Sequence, residues 1–191
     1  MKIIFATNNP NKLAEIRNAL GDDFTLVSLS DAGFEGEIPE TGRTLEANAL
    51  QKARYIFDRF KHPVFADDTG LEVDCLKGLP GVDTAHYSGR RDAVANMQKL
   101  LHEMEGCQDR SAAFKTVIAY VTPEEQKLFS GVVEGRIALK KRGEEGFGYD
   151  PLFIPENEER TFAEMGMEEK AKMNHRVRAL KKLTDYLKSS G

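Results

Sequence analysis

Val64-Phe65-Ala66-Asp67-Asp68-Thr69-Gly70-Leu71-Glu72-Val73 sets two adjacent carboxylates between two runs of strand-forming residues. Val64-Phe65 and Leu71-Glu72-Val73 read as strands, with Thr69-Gly70 as the tight turn that ends one and starts the other. Neighbouring carboxylates repel, so each needs a cation, a proton or several donors close by. A solvated hairpin tip is the default for such a pair in isolation; a magnesium site is the reading with chemical content.

Outward from this stretch, Ile3-Ile4-Phe5 is a short buried strand followed by the polar loop Thr7-Asn8-Asn9-Pro10-Asn11-Lys12. Leu13, Ile16 and Leu20 then recur at helical spacing, with Asn11 as the expected N-cap and Gly21 as the stop. Gly36 to Gly42 forms an irregular acidic loop, after which Thr44 opens a second helix that runs to about Phe60. A third helix from about Asp92 carries the apolar stripe Met97, Leu100, Leu101 and Met104. Phe114 to Val121 and Leu128 to Leu139 read as an antiparallel pair joined by Thr122-Pro123-Glu124-Glu125. The tail from about Thr161 to Lys188 is helical with an interruption near Asn174. Helices and strands interleave without strict alternation, which predicts an α/β fold with a mixed central sheet flanked by helices.

The chain has 191 residues, the length of one domain, residues 1–191, with room for two lobes around a cleft. Twenty-seven basic against thirty-one acidic residues leave a net charge of -4, which argues against non-specific grip on nucleic acid. The apolar start Met1-Lys2-Ile3-Ile4-Phe5-Ala6 is too short for a signal peptide or a membrane span, so a cytoplasmic location is expected. Cys75 and Cys107 show no metal-ligand spacing and are too few for a disulfide framework; they read as ordinary residues in a reducing compartment.

The loop Thr7 to Lys12 opens onto a helix N-terminus, where backbone N–H groups and a lysine favour phosphate. It lacks the flanking glycines and the Lys-Ser or Lys-Thr pair of a Walker A loop. Four segments taken together sharpen the reading: Thr7 to Lys12; Glu40-Thr41-Gly42 with Lys52-Ala53-Arg54; Ala66 to Gly70; and Gly146-Phe147-Gly148-Tyr149-Asp150-Pro151. In this order, with the late pair His175-Arg176, they resemble the inosine/xanthosine triphosphate pyrophosphatase family over nearly the whole chain. The resemblance implies hydrolysis of ITP, dITP and XTP to the monophosphate and pyrophosphate, with Mg²⁺ and as a homodimer, in a two-lobed fold around a nucleotide-binding cleft.

By that resemblance Asp68 is the proton acceptor, and Glu40 and Asp68 are the metal ligands. Asp67 is the runner-up, because neighbours on an extended chain face opposite ways. Thr7, Asn8, Asn9, Pro10, Asn11, Lys12 and Lys52 are expected on the phosphates, and Thr69, Gly148, Tyr149 and Lys170 are expected as further substrate contacts. Phe147, Asp150, His175 and Arg176 are expected around the base, with Phe147 stacking on the purine and arginine or histidine N–H groups donating to its 6-oxo oxygen. Two departures stand out. The late Ser-His-Arg-Gly motif appears as Asn174-His175-Arg176-Val177, and the usual Glu-Asn-Ala of the second helix is Ala47-Asn48-Ala49, with an acid one residue earlier at Glu46. The rival readings are a pyrophosphatase for another modified nucleotide, a nucleotide sensor without hydrolysis, and an RNA-binding domain; the last lacks a basic stripe interleaved with aromatics.

Overall fold

The computed structural model describes residues 1–21 and 24–189. Its helices and strands interleave in chain order: β1 (Lys2–Phe5), α1 (Pro10–Leu20), β2 (Thr25–Val27), α2 (Leu45–Phe60), β3 (Val64–Val73), β4 (Leu79–Gly81), α3 (Ala93–Glu103), β5 (Ser111–Val121), β6 (Gln126–Ile137), β7 (Phe153–Pro155), α4 (Met167–Ala171) and α5 (His175–Ser189). Among the described residues the strands form one seven-stranded sheet in the order β2-β1-β3-β5-β6-β7, with β4 paired to β3. β1 runs parallel to β2 and β3, whereas β3–β4 and β6–β7 are antiparallel. The expected mixed sheet is therefore present.

The structure corrects the reading of the Asp-Asp stretch. Val64 to Val73 is one continuous ten-residue strand, with no turn at Thr69-Gly70. Extended backbone suits a β-branched threonine, and cations beside both carboxylates, described below, remove the need for a solvated tip. A second correction concerns the start of α1. Asn9, not Asn11, is the cap: its Oδ1 accepts from the N–H groups of Asn11 and Lys12 at 2.9 and 3.2 Å, and Pro10 occupies the first helical position. The remaining helices begin and break close to where the sequence places them. Thr44 caps α2 and Asp92 caps α3, and the C-terminal helix is interrupted at residues 172–174.

The chain divides into two compact units, Met1–Asp68 with Thr116–Gly131 and Arg176–Gly191, and Thr69–Lys115 with Val132–His175. Each has its own core. In the first, Ile16 and Leu20 of α1 and Ala179, Leu180 and Leu183 of α5 cover Ile3, Phe5 and Phe65 of the sheet, with Phe5 and Phe65 stacked 4.6 Å apart. Phe65 and Asp67 point to the same face of β3, so Asp67 lies on the α1 and α5 side and Asp68 on the other. In the second unit, Met97 and Leu100 of α3 and Met104 at its C-cap pack with Phe114, Phe153 and Phe162. Leu101 of the expected stripe is only partly buried against that cluster. Cys75 and Cys107 are joined there as a disulfide, contrary to their reading as ordinary residues. A reducing compartment thus draws no support from the cysteines.

Candidate active site

In the first unit, two lysines and two aspartates meet where α1, α2 and β3 converge. Lys12 Nζ lies 3.0 Å from Asp67 Oδ2. Lys52 Nζ lies 2.5 Å from Glu40 Oε1 and 3.6 Å from Asp68 Oδ1, so one ammonium bridges the two carboxylates expected to hold metal. Lys52 and Asn48 occupy the buried stripe of α2 together with Leu45, Ala49, Ala53 and Ile56. Asn48 is the residue that sequence reasoning missed. Its Oδ1 accepts from the Gly42 N–H at 2.7 Å, and its amide donates to Asp68, which ties the Glu40 loop to β3. A signal was available: asparagine is disfavoured inside a helix, so one on an apolar stripe points to a polar partner indoors. Gly42 is required by this close approach, because a Cβ there would sit 2.7 Å from the Ala47 methyl and 2.8 Å from Asn48 Oδ1. Thr41, on the same loop, is held by a two-way hydrogen bond to Gln51.

The electrostatics separate the two aspartates. Both carboxylates are pushed upward by burial. For Asp67 the charges of Lys12, Arg176 and Lys52 outweigh that push and hold it well below the usual carboxylate range. For Asp68 burial wins, reinforced by the negative charge of Glu40, and its pKa lies above the ordinary value despite Lys52, Lys12 and the Asn48 hydrogen bond. Burial lowers the pKa of Lys12 despite Asp67, with the charges of Lys52 and Arg176 adding to the depression. Burial also acts downward on Lys52, but the charges of Asp68, Asp67 and Glu40 reverse it and the pKa is raised. Asp68 Oδ2 is buried and accepts no hydrogen bond.

That orphaned oxygen, on a carboxylate whose other oxygen lies near the Lys52 that holds Glu40, is the feature that suits a hard cation. Among the described residues no group of three or more His, Cys, Asp or Glu side chains converges as a complete cage. Two carboxylates with substrate oxygens and water completing the coordination is the usual way of binding Mg²⁺, and Glu40 and Asp68 fit that role.

The loop Thr7 to Lys12 is partly exposed, and its donors are pre-arranged. Asn9 N–H bonds to Thr7 Oγ1 at 3.1 Å, the N–H groups of Asn11 and Lys12 serve the Asn9 cap, and Asn8 Nδ2 donates to the Gly36 carbonyl. The Arg176 guanidinium is buried in the first unit, with Nε 2.9 Å from Asp67 Oδ2 and Nη1 on Glu15 Oε2.

The second unit holds the other expected residues. Thr69 follows Asp68 on β3, half-buried. In the loop Gly146 to Pro151, Asp150 Oδ2 accepts from the Phe147 N–H at 2.9 Å and from Lys170 Nζ at 2.6 Å. Gly146 has φ +76°, and a Cβ there would collide with Asp150 Oδ2. The Lys170 ammonium sits 5.2 Å from the Phe147 ring and 5.4 Å from that of Phe162. Asp150 and Lys170 thus shape the loop, while Phe147 and Gly148 are half-buried. Tyr149 is buried and donates to the Thr84 carbonyl at 2.8 Å. His175 is buried and stacks on Phe114 with centroids 4.8 Å apart.

Known proteins resemble this chain over nearly its full length. A dITP/XTP pyrophosphatase of Flavobacterium psychrophilum is 46% identical over 99% of this chain and 100% of its own length. One of Bacillus subtilis is 44% identical over 97% and 96%. The Ham1 protein of Staphylococcus aureus superposes with a TM-score of 0.90 at 36% identity, covering 100% of both chains. The family model described as Ham1 family matches residues 3–186, and this chain belongs to the Ham1 family.

Proposed function

We propose that this chain is a Mg²⁺-dependent pyrophosphohydrolase that converts ITP, dITP and XTP to the monophosphate and pyrophosphate, clearing deaminated purines from the nucleotide pool. One observation carries the reading: a buried Asp68 carboxylate, raised in pKa and with an unbonded oxygen, paired with Lys52, which also holds Glu40. A module that only grips a triphosphate would gain nothing from two carboxylates at the anion. A hydrolase needs them, one to accept a proton and both to hold a cation.

In the proposed reaction a water oxygen bonds to the α-phosphorus as the bond from that phosphorus to the α,β-bridging oxygen breaks. The electron pair leaves with pyrophosphate, and the proton of the water passes to Asp68. An elevated carboxylate pKa brings the base closer to working pH, which favours that transfer. Lys12 and the loop Thr7 to Asn11 bind and orient the phosphates, and Lys52 holds Glu40 and Asp68 in register. Mg²⁺, when bound by Glu40 and Asp68, neutralises charge on the phosphate oxygens.

Phe147 offers a ring face to the purine, on a loop held by Asp150 and Lys170, with His175 buried in the same unit. Donors directed at a 6-oxo group would be left unpaired by the amino group of adenine, a mismatch that costs up to about 10⁴ in kcat/KM. Because its substrates belong to the nucleotide pool, we place the enzyme in the cytoplasm, and as a homodimer; light scattering checks the latter.

Hydrolysis of ITP in ¹⁸O-labelled water tests the chemistry. Label is expected in IMP and not in pyrophosphate; label in orthophosphate with IDP as co-product would mean attack at the terminal phosphorus instead.

A further inference from the structure

Glu40 stands in a stretch, residues 37–44, that belongs to no helix or strand, so no ladder of backbone hydrogen bonds fixes where its carboxylate sits. Anchors from α2 do so instead. The Gly42 N–H donates to Asn48 Oδ1 at 2.7 Å, and Lys52 Nζ lies 2.5 Å from Glu40 Oε1. Between these two, Gln51 grips Thr41 twice: the Thr41 N–H donates to Gln51 Oε1 at 2.8 Å, and Gln51 Nε2 donates to Thr41 Oγ1 at 2.9 Å. A backbone N–H can only donate, which fixes the orientation of the Gln51 amide. Asn48, Gln51 and Lys52 occupy positions i, i+3 and i+4 of α2 and so share a helix face.

We propose that Gln51 is a positioning residue for the metal site, holding the Glu40 loop on α2 through Thr41 whether or not a cation is bound. This rests on the pyrophosphohydrolase reading. The physical need is specific, because the three anchors respond differently to a cation. Asn48 and Lys52 also serve Asp68: the Asn48 amide donates to it, and Lys52 Nζ lies 3.6 Å from its Oδ1. A divalent cation taken up by Glu40 and Asp68 competes with the Lys52 ammonium for the same oxygens and repels it. The hold of Lys52 on Glu40 therefore loosens at the moment when the ligand must be well placed. Gln51 is neutral, and its two bonds to Thr41 leave the Glu40 carboxylate to the metal. Its grip on the residue next to Glu40 survives metal entry, so the loop need not be ordered anew each time a cation binds. A carboxylate carried on an irregular loop gains affinity from such an anchor in the way that metal ligands gain from the outer groups that orient them.

Five proteins test the assignment: the wild type, Gln51→Ala, Thr41→Val, the double variant and the conservative Thr41→Ser, each checked for folding by its thermal transition. In Gln51→Ala the dissociation constant for Mn²⁺, read by electron paramagnetic resonance on the nucleotide-free protein, rises roughly tenfold. Thr41→Val, which keeps the backbone N–H, shows a smaller rise, and the double variant loses no more than Gln51→Ala alone. Thr41→Ser retains the wild-type value. With ITP as substrate, the Mg²⁺ concentration giving half-maximal rate shifts by the same factor in Gln51→Ala, while kcat at saturating Mg²⁺ stays within about threefold of the wild type. A general loosening of the fold would lower kcat at every metal concentration instead. Amide exchange in peptides covering residues 37–44 quickens in Gln51→Ala, with and without Mn²⁺. A folded Gln51→Ala protein with unchanged metal dependence, or losses that add in the double variant, overturns the inference. If the wild type cleaves ITP but takes up Mn²⁺ only with nucleotide, the Mg²⁺ dependence of the rate decides. A wild type that neither binds Mn²⁺ nor cleaves ITP defeats the functional reading instead, and the exchange rates still decide whether Gln51 holds the loop.

Discussion

Asp67 and Asp68 are neighbours in sequence with opposite electrostatic histories. Asp67 is compensated by two cations at bonding distance and is set deep in the ionised state; Asp68 is buried beside Glu40 and has an unmet oxygen. Asp68→Asn should therefore remove turnover by at least about 10³-fold, as expected for loss of a general base, while leaving ITP affinity within a few-fold. The same substitution should stabilise the metal-free protein. A carboxyl whose folded pKa is raised binds its proton more tightly when folded, so the ionised group costs stability above that pKa, and the cost disappears as pH falls through it. In chelator at neutral pH, Asp68→Asn should melt higher, by about 2–4 °C if the gain is near 1 kcal/mol. The gap should close on acidification; a gap that widens would show that the charge of Asp68 is not the source of the cost. Asn48→Ala should lower kcat by about 10–100-fold and weaken Mn²⁺ binding without changing the ITP over ATP ratio, because the hydrogen bonds of Asn48 go to Asp68 and the Glu40 loop. Metal titration followed by electron paramagnetic resonance reads the second effect.

Among the elements, the start of α1 joins local stability to ligand binding. Asn9 caps the helix and so arranges the loop that is proposed to meet phosphate. Asn9→Ala should cost about 1 kcal/mol and also raise KM for ITP, whereas Asn11→Ala, which removes no cap, should leave the thermal transition within a degree or so. Equal thermal effects of the two would contradict the cap assignment. The elements themselves were largely legible in the sequence. Leu13, Ile16 and Leu20 mark α1, Thr44 and Asp92 mark the starts of α2 and α3, and Thr122 to Glu125 marks the turn between β5 and β6. The turn expected at Thr69-Gly70 was misplaced for a physical reason. Two carboxylates in mid-strand look untenable without their counter-ions, and those arrive from Lys12, Lys52 and Arg176, far away along the chain. No local pattern reports them. The Glu15–Arg176 pair was illegible for the same reason, since a residue following histidine in a substrate motif gives no hint that Glu15 lies against it. Lys12, Lys52, Glu40, Asp67 and Asp68, by contrast, were named from sequence, and the structure brings them together in the first unit, whereas Glu15 was not named.

On the scale of the whole molecule, each contact-dense unit has its own core and its own share of the expected site. Glu40, Lys12, Lys52, Asp67, Asp68 and Arg176 belong to the first; Phe147, Asp150, Lys170 and His175 to the second. The chain passes between units at Asp68-Thr69 and His175-Arg176, so two of the motifs read from sequence are also points of crossing. The Cys75–Cys107 disulfide closes a loop of sequence separation 32 within the second unit. Loop-closure entropy predicts that reduction, or Cys75→Ser, costs about 3–4 kcal/mol, seen as a lower thermal midpoint in reductant for the wild type but not for the variant. Identical midpoints with and without reductant would mean that the pair does not stabilise the fold.

The central claim is hydrolysis directed by a 6-oxo purine, and the most direct measurement is pyrophosphate release from ITP, XTP, ATP, GTP and dTTP, each with and without Mg²⁺, at slightly alkaline pH. Rapid, metal-dependent release from ITP and XTP, with ATP and dTTP slower by orders of magnitude, is the predicted result. Tight binding of ITP without release, or equal cleavage of all five nucleotides, would contradict it.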